Sequence, residues 1–517
     1  MLSKTFSGAI AGVDAIPVEI EVYSQVSTAS FAIVGLPDAA IKEARDRIPT
    51  ALKNSGFKAR QEYAVTVNLA PADIRKEGPI YDLPIAIGLL KAIGLLENGK
   101  LEEYAMAGEL SLSGEVRRIN GILPIAMAMR AIGKKAMLVP YENRMEASVV
   151  EGMDIIPVKN LREAFCHLSG QAQIMKVHSD LADLVDSAAA CQDDFADVKG
   201  QEMAVRAVEI AVAGGHNVLM IGSPGSGKTM IARRIPSILP PLTVDEALEV
   251  SKIHSIAGAA KGGLPFVTTR PFRSPHHTVS AIGLLGGGAK AVPGEVSLAH
   301  RGVLFLDEFA EFPRNVLEVM RQPLEDGKVS VARACGAHDY PSRFMLVAAM
   351  NPCPCGYHND ATHDCHCKPG RIRQYQERIS GPLLDRIDIQ IGVSAVPLKD
   401  LQRAKCGRSS AEIRANVVRA RAIQAARYRD MPGVMTNAEV RSRDLPRVCA
   451  MDGTTQDALQ GMIEKLNLSA RAYDRLLKVS RTIADLNGHE RVTTEDLSEA
   501  ACLRQFDADR EADILGY

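Results

Sequence analysis

Residues 222–229 read Gly-Ser-Pro-Gly-Ser-Gly-Lys-Thr, and this stretch decides the fold around it. The apolar run Asn217–Ile221 before it is typical of a buried parallel strand, and Met230–Arg234 after it opens a helix. The glycines allow successive backbone N–H groups to point at phosphate oxygens. The Lys228 amine can reach the β and γ phosphates, and the Thr229 hydroxyl can bind Mg²⁺. The stretch therefore predicts a nucleotide-binding loop between a strand and a helix of an α/β domain.

Two further apolar runs end in polar residues that suit ATP hydrolysis. Gly302–Leu306 is followed by Asp307 and Glu308, and Leu346–Met350 is followed by Asn351. We expect Asp307 to hold the Mg²⁺ shell and Glu308 to activate the attacking water. The Asn351 amide can contact the γ-phosphate or that water. The predicted nucleotide-binding set is Gly222, Ser223, Pro224, Gly225, Ser226, Gly227, Lys228, Thr229 and Asp307, with Thr229 and Asp307 on Mg²⁺.

Length, charge and composition limit the class of protein. The chain has 517 residues, more than one core normally holds, so two or three domains are expected. Its net charge of −1 excludes a polybasic nucleic-acid binder, and any DNA contact must come from local patches. The N-terminal segment has no signal-peptide pattern, and no apolar run reaches about 18 residues. We therefore expect a cytoplasmic protein without a membrane span.

The apolar runs divide the chain into four blocks. Residues 1–168 alternate strand and helix patterns and predict an α/β domain. Residues 169–195 are polar and acidic and predict a linker, residues 196–394 hold the nucleotide motifs, and residues 395–517 show helical patterns without strand signals. The clearest predicted elements are the strands Val18–Tyr23, Ala64–Leu69 and Ala136–Val139 and the helices Asp38–Ser55, Leu83–Ile93, Ile122–Ile132, Ala411–Tyr428 and Arg471–Leu486.

The motifs after the phosphate loop resemble the core of an AAA+ ATPase. Asn351 stands at the position of the family's sensor 1, and Asp197–Gln201 resembles the segment that lies near adenine. Gly381–Asp388 resembles the arginine-finger segment, in which Arg386 would stabilise charge on a neighbouring subunit's nucleotide. The resemblance implies a P-loop α/β core with a parallel sheet that binds ATP and Mg²⁺.

The C-terminal block, residues 395–517, resembles the helical lid of the same family. Ser469–Leu477 resembles the sensor 2 helix, with Arg471 facing nucleotide, and Arg378 is a weaker alternative to Arg386 as the finger. Taken singly, each arginine is better explained as a solvated residue or part of a structural ion pair, but this order and spacing favour the functional interpretation. A finger supplied in trans requires a homo-oligomer. AAA+ proteins of this type form rings, usually hexamers.

Two insertions narrow the resemblance. Gly327–Arg333 and Asp339–Phe344 predict a β-hairpin around a Gly-bearing tip, and residues 254–290 form a long Gly-rich segment with several bases. They resemble the pre-sensor 1 hairpin and helix-2 insert of the AAA+ group that includes magnesium-chelatase ATPase subunits and MCM helicases. In the helicases such insertions line a central pore, so the resemblance gives three candidate DNA contacts. These are Lys328, Arg333 and His338. The alternative is a hairpin that only packs against a neighbouring subunit.

Cysteines cluster directly after Asn351. Cys353, Cys355, Cys365 and Cys367 follow the pattern C-x-C-x9-C-x-C and suit a tetrahedral zinc site, although C-x-C is tighter than the usual spacing. The other cysteines look isolated, which favours a reduced compartment with one metal site over a disulfide framework. We expect a structural Zn²⁺ that stiffens this segment. Three interleaved histidines could replace a thiolate: His358, His363 and His366.

The N-terminal block resembles a Lon-type protease domain. Lys76–Ile87 resembles the segment with the nucleophile, and Gly108–Leu123 resembles the segment with the catalytic lysine. A Ser–Lys dyad needs a hydroxyl and a desolvated amine, but Ile80 and Leu123 stand at these two positions. The resemblance implies the fold without the peptidase chemistry. Several bases could bind DNA or could equally be ordinary solvated surface: Arg60, Arg75, Lys76, Arg117 and Arg118.

Together these features identify the chain as a member of the ComM (YifB-like) family over essentially its whole length. The family implies a hexameric ATP-dependent DNA helicase that promotes branch migration and so integrates incoming DNA during natural transformation. The runner-up is a magnesium-chelatase ATPase subunit that acts with tetrapyrrole-metallating partners, and a third alternative is an ATP-dependent protease. The missing dyad argues against the protease. The fused Lon-like domain and the cysteine cluster argue against the chelatase subunit, which is typically a lone AAA+ module.

Overall fold

The structure, a computed structural model, combines two α/β regions with a helical C-terminal region. It describes residues 1–58, 61–97, 101–186, 193–259, 266–288, 292–333, 336–360, 363–396, 407–466 and 469–504. This arrangement confirms the predicted fold class.

The N-terminal region contains sheets of four, three and two strands. Its strands are β1 (Leu2–Ala11), β2 (Asp14–Val26), β3 (Ser30–Val34), β4 (Tyr63–Ala70), β5 (Tyr104–Met106), β6 (Glu109–Leu110), β7 (Val116–Arg117), β8 (Ala136–Pro140) and β9 (Asp154–Val158). Its helices are α1 (Ala39–Lys42), α2 (Ala44–Asn54), α3 (Asp82–Ala92), α4 (Ile122–Ala131), α5 (Arg144–Ala147), α6 (Leu161–Leu168) and α7 (Leu181–Asp186). The order β1-β2-β4-β3 forms one mainly antiparallel sheet, β5-β8-β9 form a parallel one, and the smallest sheet is the antiparallel pair β6–β7.

Most predicted elements of this region are present, with two differences. The helix expected over Asp38–Ser55 is divided at Glu43 into α1 and α2. The stretch predicted as a linker is partly structured, because Val177 bridges to Ile155 of β9 and α7 buries Leu181 in the N-terminal core. The predicted polar linker therefore contributes to packing.

The second region contains a five-stranded sheet. Its elements are α8 (Glu202–Gly214), β10 (Val218–Ile221), α9 (Lys228–Ile238), α10 (Val244–Ile256), β11 (Phe272–Arg273), α11 (Ala281–Leu285), β12 (Gly286–Gly287), β13 (Val292–Pro293), α12 (Glu295–Leu298), β14 (Val303–Leu306), α13 (Arg314–Val319), α14 (Arg321–Asp326), β15 (Lys328–Arg333), β16 (Gly336–Pro341), β17 (Met345–Met350), α15 (Pro369–Gln376), α16 (Gly381–Leu384) and β18 (Ile389–Gly392). The sheet order is β11-β14-β17-β10-β18, and each pair of neighbours is parallel.

Both faces of this parallel sheet are buried. Along β17, Met345, Val347 and Ala349 join one core cluster, while Leu346, Ala348 and Met350 join the other. Because successive side chains of a strand point to opposite faces, each strand packs against a helical layer on both sides of the sheet. The carboxyl ends of β10, β14 and β17 consequently lie side by side at one edge of the sheet.

The C-terminal region is helical and packs on one face of that sheet. Its helices are α17 (Ser410–Arg427), α18 (Leu445–Val448), α19 (Gly453–Leu466), α20 (Ala470–Asn487) and α21 (Thr494–Cys502). Helices α17 and α20 contact α8, and their buried apolar residues share a core cluster with β10 and β14. The predicted helices Ala411–Tyr428 and Arg471–Leu486 are confirmed to within two residues.

Helix α10 joins the N-terminal region to the sheet region. Ala247 of α10 belongs to the N-terminal core cluster, and α10 packs along α4. Two polar contacts fix this junction: the Gly121 N–H donates to the Ser255 carbonyl at 3.1 Å, and Lys252 pairs with Asp14 at 2.8 Å. The buried Ser255 hydroxyl also donates to the Glu146 carboxylate. The two α/β regions are therefore held together by an element of the second.

Candidate functional site

The phosphate loop runs from the end of β10 into the start of α9. Gly227 precedes α9 with φ 94°, a left-handed conformation that glycine adopts without strain. The Lys228 ammonium donates to the Gly222 carbonyl at 2.7 Å and to the Ser223 carbonyl at 2.9 Å. Burial lowers the pKa of Lys228. The loop thus holds an amine among backbone groups that converge at a helix N-terminus, which favours phosphate binding.

Thr229 and Asp307 meet at the same edge of the sheet. The Thr229 hydroxyl donates to a carboxylate oxygen of Asp307 at 2.7 Å, although the residues lie 78 positions apart in sequence. The other Asp307 oxygen accepts the Glu308 backbone N–H at 2.9 Å. Hydroxyl and carboxylate oxygens are the hard ligands that Mg²⁺ binds, usually with waters and substrate phosphates. This donor set fits the predicted Mg²⁺ site.

Glu308 adopts an uncommon backbone conformation beside these residues. Its φ is 52° and its ψ 43°, in the left-handed region, and its carboxylate pairs with Nδ1 of His277 at 2.8 Å. The His277 ring also meets the Phe312 ring edge-on, with centroids 6.4 Å apart. Strained residues of this kind concentrate at functional sites. His277 is the functional candidate that our sequence reasoning missed, because the strand before it, β11, is only two residues long.

Asn351 completes this edge of the sheet. It follows β17, which lies between β10 and β14, and its side-chain oxygen lies 3.4 Å from the Lys228 amine. The structure therefore brings together the predicted residues Lys228, Thr229, Asp307, Glu308 and Asn351. A nucleotide phosphate on the loop would have a cation, a metal site, a carboxylate and an amide within reach.

The candidate finger and sensor arginines come together at a second place. Arg386 donates to the Glu325 carboxylate of α14 and to the Pro382 carbonyl at 2.5 Å. Arg471 of α20 pairs with Asp385, the residue beside Arg386, at 3.3 Å. The hydrogen bond from Arg386 lowers the pKa of Glu325, and the Arg471 charge adds to this effect. Each arginine pairs with an acid, and Asp385 is adjacent to Arg386 in sequence, so the two side chains lie in the same part of the structure.

The weaker finger candidate, Arg378, has different partners. Its guanidinium donates to the Ala310 carbonyl at 3.1 Å and pairs with Glu311 at 2.9 Å. Ala310 and Glu311 belong to the short 3₁₀ turn that follows Glu308. Arg378 therefore supports the backbone next to Glu308.

The four clustered cysteines form a compact ligand set. The sulfurs of Cys353, Cys355, Cys365 and Cys367 all lie within 4.8 Å of one another. Cys353 lies 3.3 Å from Cys355 and 3.7 Å from Cys365, and Cys355 lies 3.6 Å from Cys365. A tetrahedral zinc site with Zn–S bonds of about 2.3 Å requires sulfurs roughly 3.8 Å apart. The set fits zinc, and within the described residues it contains no histidine.

The predicted hairpin is present, but its second strand runs over Gly336–Pro341 rather than Asp339–Phe344, which places His338 in the strand, and its charges are partly neutralised. β15 and β16 pair from Lys328 opposite Pro341 to Arg333 opposite Gly336. The Lys328 amine pairs with Asp339 at 2.6 Å, which raises the pKa of Lys328 and lowers that of Asp339. His338 faces the β1–β2 turn, since a Cβ built at Gly12 would lie 3.8 Å from its Nδ1. The Arg333 side chain lies outside the described residues.

The N-terminal positions that correspond to a protease dyad are part of the hydrophobic core. Ile80 and Leu123 are both buried in the same cluster. Nearby, Asp82 is buried in an ion pair with Arg47 at 2.7 Å, and burial raises the pKa of Asp82 to about 6 although the guanidinium opposes it. These groups stabilise a fold and do not form a nucleophile and base.

The candidate DNA-binding bases of this region have partners inside the chain. Arg75 lies 3.8 Å from Glu77, and Arg117 lies 3.7 Å from Glu109. The buried Lys76 amine donates to the Pro71 carbonyl, Arg118 also has a partner, and Arg60 lies outside the described residues. The structure favours the interpretation of this surface as ordinary.

Three segments of the chain match families of known proteins. Residues 194–401 match the family described as magnesium chelatase, subunit ChlI; residues 18–143 match subunit ChlI of Mg-chelatase; and residues 407–504 match magnesium chelatase, subunit ChlI C-terminal. Among the described helices, none combines the length and the apolar composition that a membrane span needs.

Two relatives match over almost their full length. The chain is 40% identical to YifB of Escherichia coli over 98% of its own length and 97% of that protein. It is 41% identical to the competence protein ComM of Haemophilus influenzae over 96% of both chains. A shorter similarity, at the N-terminus, is 32% identity to Lon protease 2 of Bacillus subtilis over 23% of this chain and 21% of that protein.

Proposed function

Because this chain belongs to the magnesium chelatase ChlI-like family of YifB and ComM, we propose that it is a ring-forming AAA+ ATPase that works as an ATP-dependent DNA motor, a helicase. Its function is branch migration during recombination of incoming DNA in natural transformation. The observation that carries the ATPase assignment is the convergence of Lys228, Thr229, Asp307, Glu308 and Asn351 at one edge of a parallel sheet. We place the ATPase core in residues 196–394 and the lid in residues 395–517.

The residues at this edge divide the work of ATP hydrolysis. The backbone N–H groups of the loop and the Lys228 amine bind the phosphates, and Thr229 and Asp307 hold Mg²⁺, which neutralises charge on them. Glu308 orients the attacking water and accepts its proton, once the carboxylate leaves His277. Asn351 hydrogen-bonds the γ-phosphate or that water from its position beside Lys228.

Arg386 acts on the nucleotide of a neighbouring subunit, and Arg471 faces nucleotide as the sensor 2 arginine. Their joint position around Asp385 and Glu325 supports this, because both positive charges then lie in the same part of the structure. An arginine that meets developing negative charge accelerates phosphoryl transfer. The active unit is consequently an oligomer, and a hexamer is the ring size that we propose.

The four-cysteine set holds one structural Zn²⁺. Four sulfurs within 4.8 Å of one another, in a set without a histidine, support zinc with a closed coordination shell. Metal analysis of the purified protein tests this, with the quadruple Cys→Ser variant as control. We expect about one zinc per chain, lost in the variant; equal zinc in the two proteins would refute the site.

DNA as the substrate rests on the relative ComM, whose name describes a competence protein. DNA taken up in competence is handled in the cytoplasm, where we place the protein. The hairpin β15–β16 is the candidate DNA contact, through Lys328, Arg333 and His338. A few positive groups per subunit suffice, because a ring multiplies them.

One experiment separates this proposal from the alternative of a chelatase ATPase subunit, which the three family descriptions favour. ATP turnover and strand separation are measured with single-stranded DNA, with branched DNA and without DNA. The Lys228→Ala variant gives the background. A helicase is stimulated by DNA and displaces a strand from the branched substrate. Turnover that ignores every DNA and produces no displaced strand would contradict the helicase.

A further inference from the structure

The four-cysteine loop packs directly against the phosphate loop. Gly356, in the turn after Cys355, has φ 90°. A Cβ built on Gly356 would lie 2.6 Å from both Cδ and Cγ of Pro224, and 3.8 Å from the Asn351 side-chain carbon. A separation of 2.6 Å is shorter than any van der Waals contact, so only glycine permits this approach. The cysteine loop and the phosphate loop are therefore in direct van der Waals contact, although they lie far apart in the sequence.

The segment Asn351–Gly356 contacts the phosphate loop at both of its ends and helix α15 between them. Its first residue lies 3.4 Å from the Lys228 amine, and its last packs on Pro224. Between them, Cys353 is fully buried, and its carbonyl accepts the Gly356 N–H at 3.0 Å. The Gln376 amide of α15 holds the Pro352 carbonyl at 3.2 Å. A displacement of Cys353 or Cys355 therefore moves Asn351 at one end of the segment and Gly356, which packs on Pro224, at the other.

The segment has few means of keeping this shape by itself. It is a run of turns rather than a helix or strand, and its buried side chain is a thiol that would be a metal ligand. Four sulfurs within 4.8 Å of one another have the spacing of a site for one divalent cation, which would tie the segment to Cys365 and Cys367. Metal binding in such loops supplies folding free energy outright.

We propose that the four-cysteine site is a positioning element for the nucleotide: its metal holds Asn351–Gly356 against Pro224 and so sets the shape of the phosphate loop. The proposal rests on the zinc site proposed above and adds a role for it in ATP affinity. Gly356 is the positioning residue, because it carries the contact without binding metal or nucleotide.

The first experiment removes the metal from the full-length protein. A zinc-selective chelator is applied in excess Mg²⁺, and the Kd for a fluorescent ADP analogue is measured together with zinc content and far-ultraviolet circular dichroism. We expect the Kd to rise roughly tenfold, the loss that one misaligned charge-assisted hydrogen bond produces. Added Zn²⁺ should restore it. A zinc-free protein with unchanged dichroism and unchanged Kd would overturn the proposal.

The second experiment breaks the contact and leaves the thiols intact. Gly356→Ala places a methyl group against Pro224, and we expect it to keep its zinc while its Kd for the same analogue rises roughly tenfold. Gly133→Ala is the matched control, since Gly133 has φ 83° and no atom within 4 Å of a built Cβ. Equal Kd values for these two variants would overturn the proposal.

The two experiments also separate this proposal from the zinc assignment. Protein purified without zinc refutes the metal site, and the positioning role with it. Protein that carries zinc but keeps its nucleotide affinity after the metal is removed refutes the positioning role alone. Chelation of the Gly356→Ala variant should add little to its defect, because the contact is already broken.

Discussion

Helices α4 and α9 begin alike and end up with opposite roles. Each is preceded by a left-handed glycine, Gly121 with φ 78° and Gly227 with φ 94°. Helix α9 then begins with Lys228-Thr229. Their amine and hydroxyl line the nucleotide edge, the edge of the five-stranded sheet where Lys228, Thr229, Asp307, Glu308 and Asn351 meet. Helix α4 begins with Ile122-Leu123, both fully buried. The same backbone turn therefore supports a phosphate site in one region and core packing in the other, and the side chains of two residues make the difference.

The backbone groups at the two helix starts also differ in their partners. At α4 the Gly121 N–H is bound to the Ser255 carbonyl of α10, so this helix start serves as a docking point. At α9 the loop carbonyls of Gly222 and Ser223 face the Lys228 amine. A left-handed glycine before a helix therefore occurs in both regions, and the side chains around that helix start decide what it does.

We expect the largest effect from the variant that tests whether a neighbouring subunit supplies Arg386 to the nucleotide site. Arg386→Ala should lower ATP turnover by about 10³-fold or more while nucleotide affinity stays near wild type, because the finger acts on transition-state charge. Mixing this variant with Lys228→Ala should restore part of the activity, since each supplies what the other lacks. If no mixing ratio recovers turnover, Arg386 does not act in trans.

The next effect tests the hydrolytic acid itself. Glu308→Gln should reduce turnover by about 10²- to 10⁴-fold, the usual contribution of a general base, and should leave ATP binding intact because Asp307 remains. Turnover under single-turnover conditions and binding of a fluorescent analogue are the measurements. Wild-type turnover in this variant would remove the assignment of Glu308.

The two helix starts can be compared directly by alanine substitution. Leu123→Ala should lower the free energy of unfolding by about 2–5 kcal/mol, as for other buried leucines, with little change in turnover per folded molecule. Lys228→Ala should change that free energy by no more than about 1 kcal/mol and weaken nucleotide binding roughly tenfold to a hundredfold. Leu123→Met serves as a volume-conserving control. A loss of turnover in folded Leu123→Ala would break the comparison.

The smallest expected effect concerns the hairpin. Replacing Lys328 and Arg333 by Ala should weaken DNA binding several-fold, with a salt dependence shallower by about one or two released ions, and should spare turnover without DNA. Because Asp339 neutralises Lys328, Asp339→Asn should strengthen DNA binding. Sizing with ATP checks the ring: joint loss of assembly and basal turnover would show a hairpin that packs between subunits.

The nucleotide edge could be predicted from the sequence because each of its parts is local. A strand followed by Asp307-Glu308 or by Asn351 is visible in a few consecutive residues, and parallel strands bring such ends together. The His277–Glu308 pair could not be predicted in this way, because β11 is too short to give a period. The break at Glu43 was likewise invisible, since the apolar pattern continues across it.

Contacts between distant segments were the other part that the sequence could not supply. The apolar residues of α10 indicate that part of the helix is buried, but not that the N-terminal core would cover it. The approach of Gly356 to Pro224 depends on tertiary packing across 132 residues, and only the glycine hints at it. The placement of Arg471 beside Asp385 is of the same kind.

The aliphatic packing around the start of α4, on which α10 docks, is unfavourable for a Ser–Lys dyad. A hydroxyl at position 80 and an amine at position 123 would have to be buried among aliphatic side chains, at a cost of several kcal/mol each without new partners. The amide that begins this helix is already engaged by Ser255. A Ser–Lys pair at these positions would therefore require new polar partners and a repacked N-terminal core.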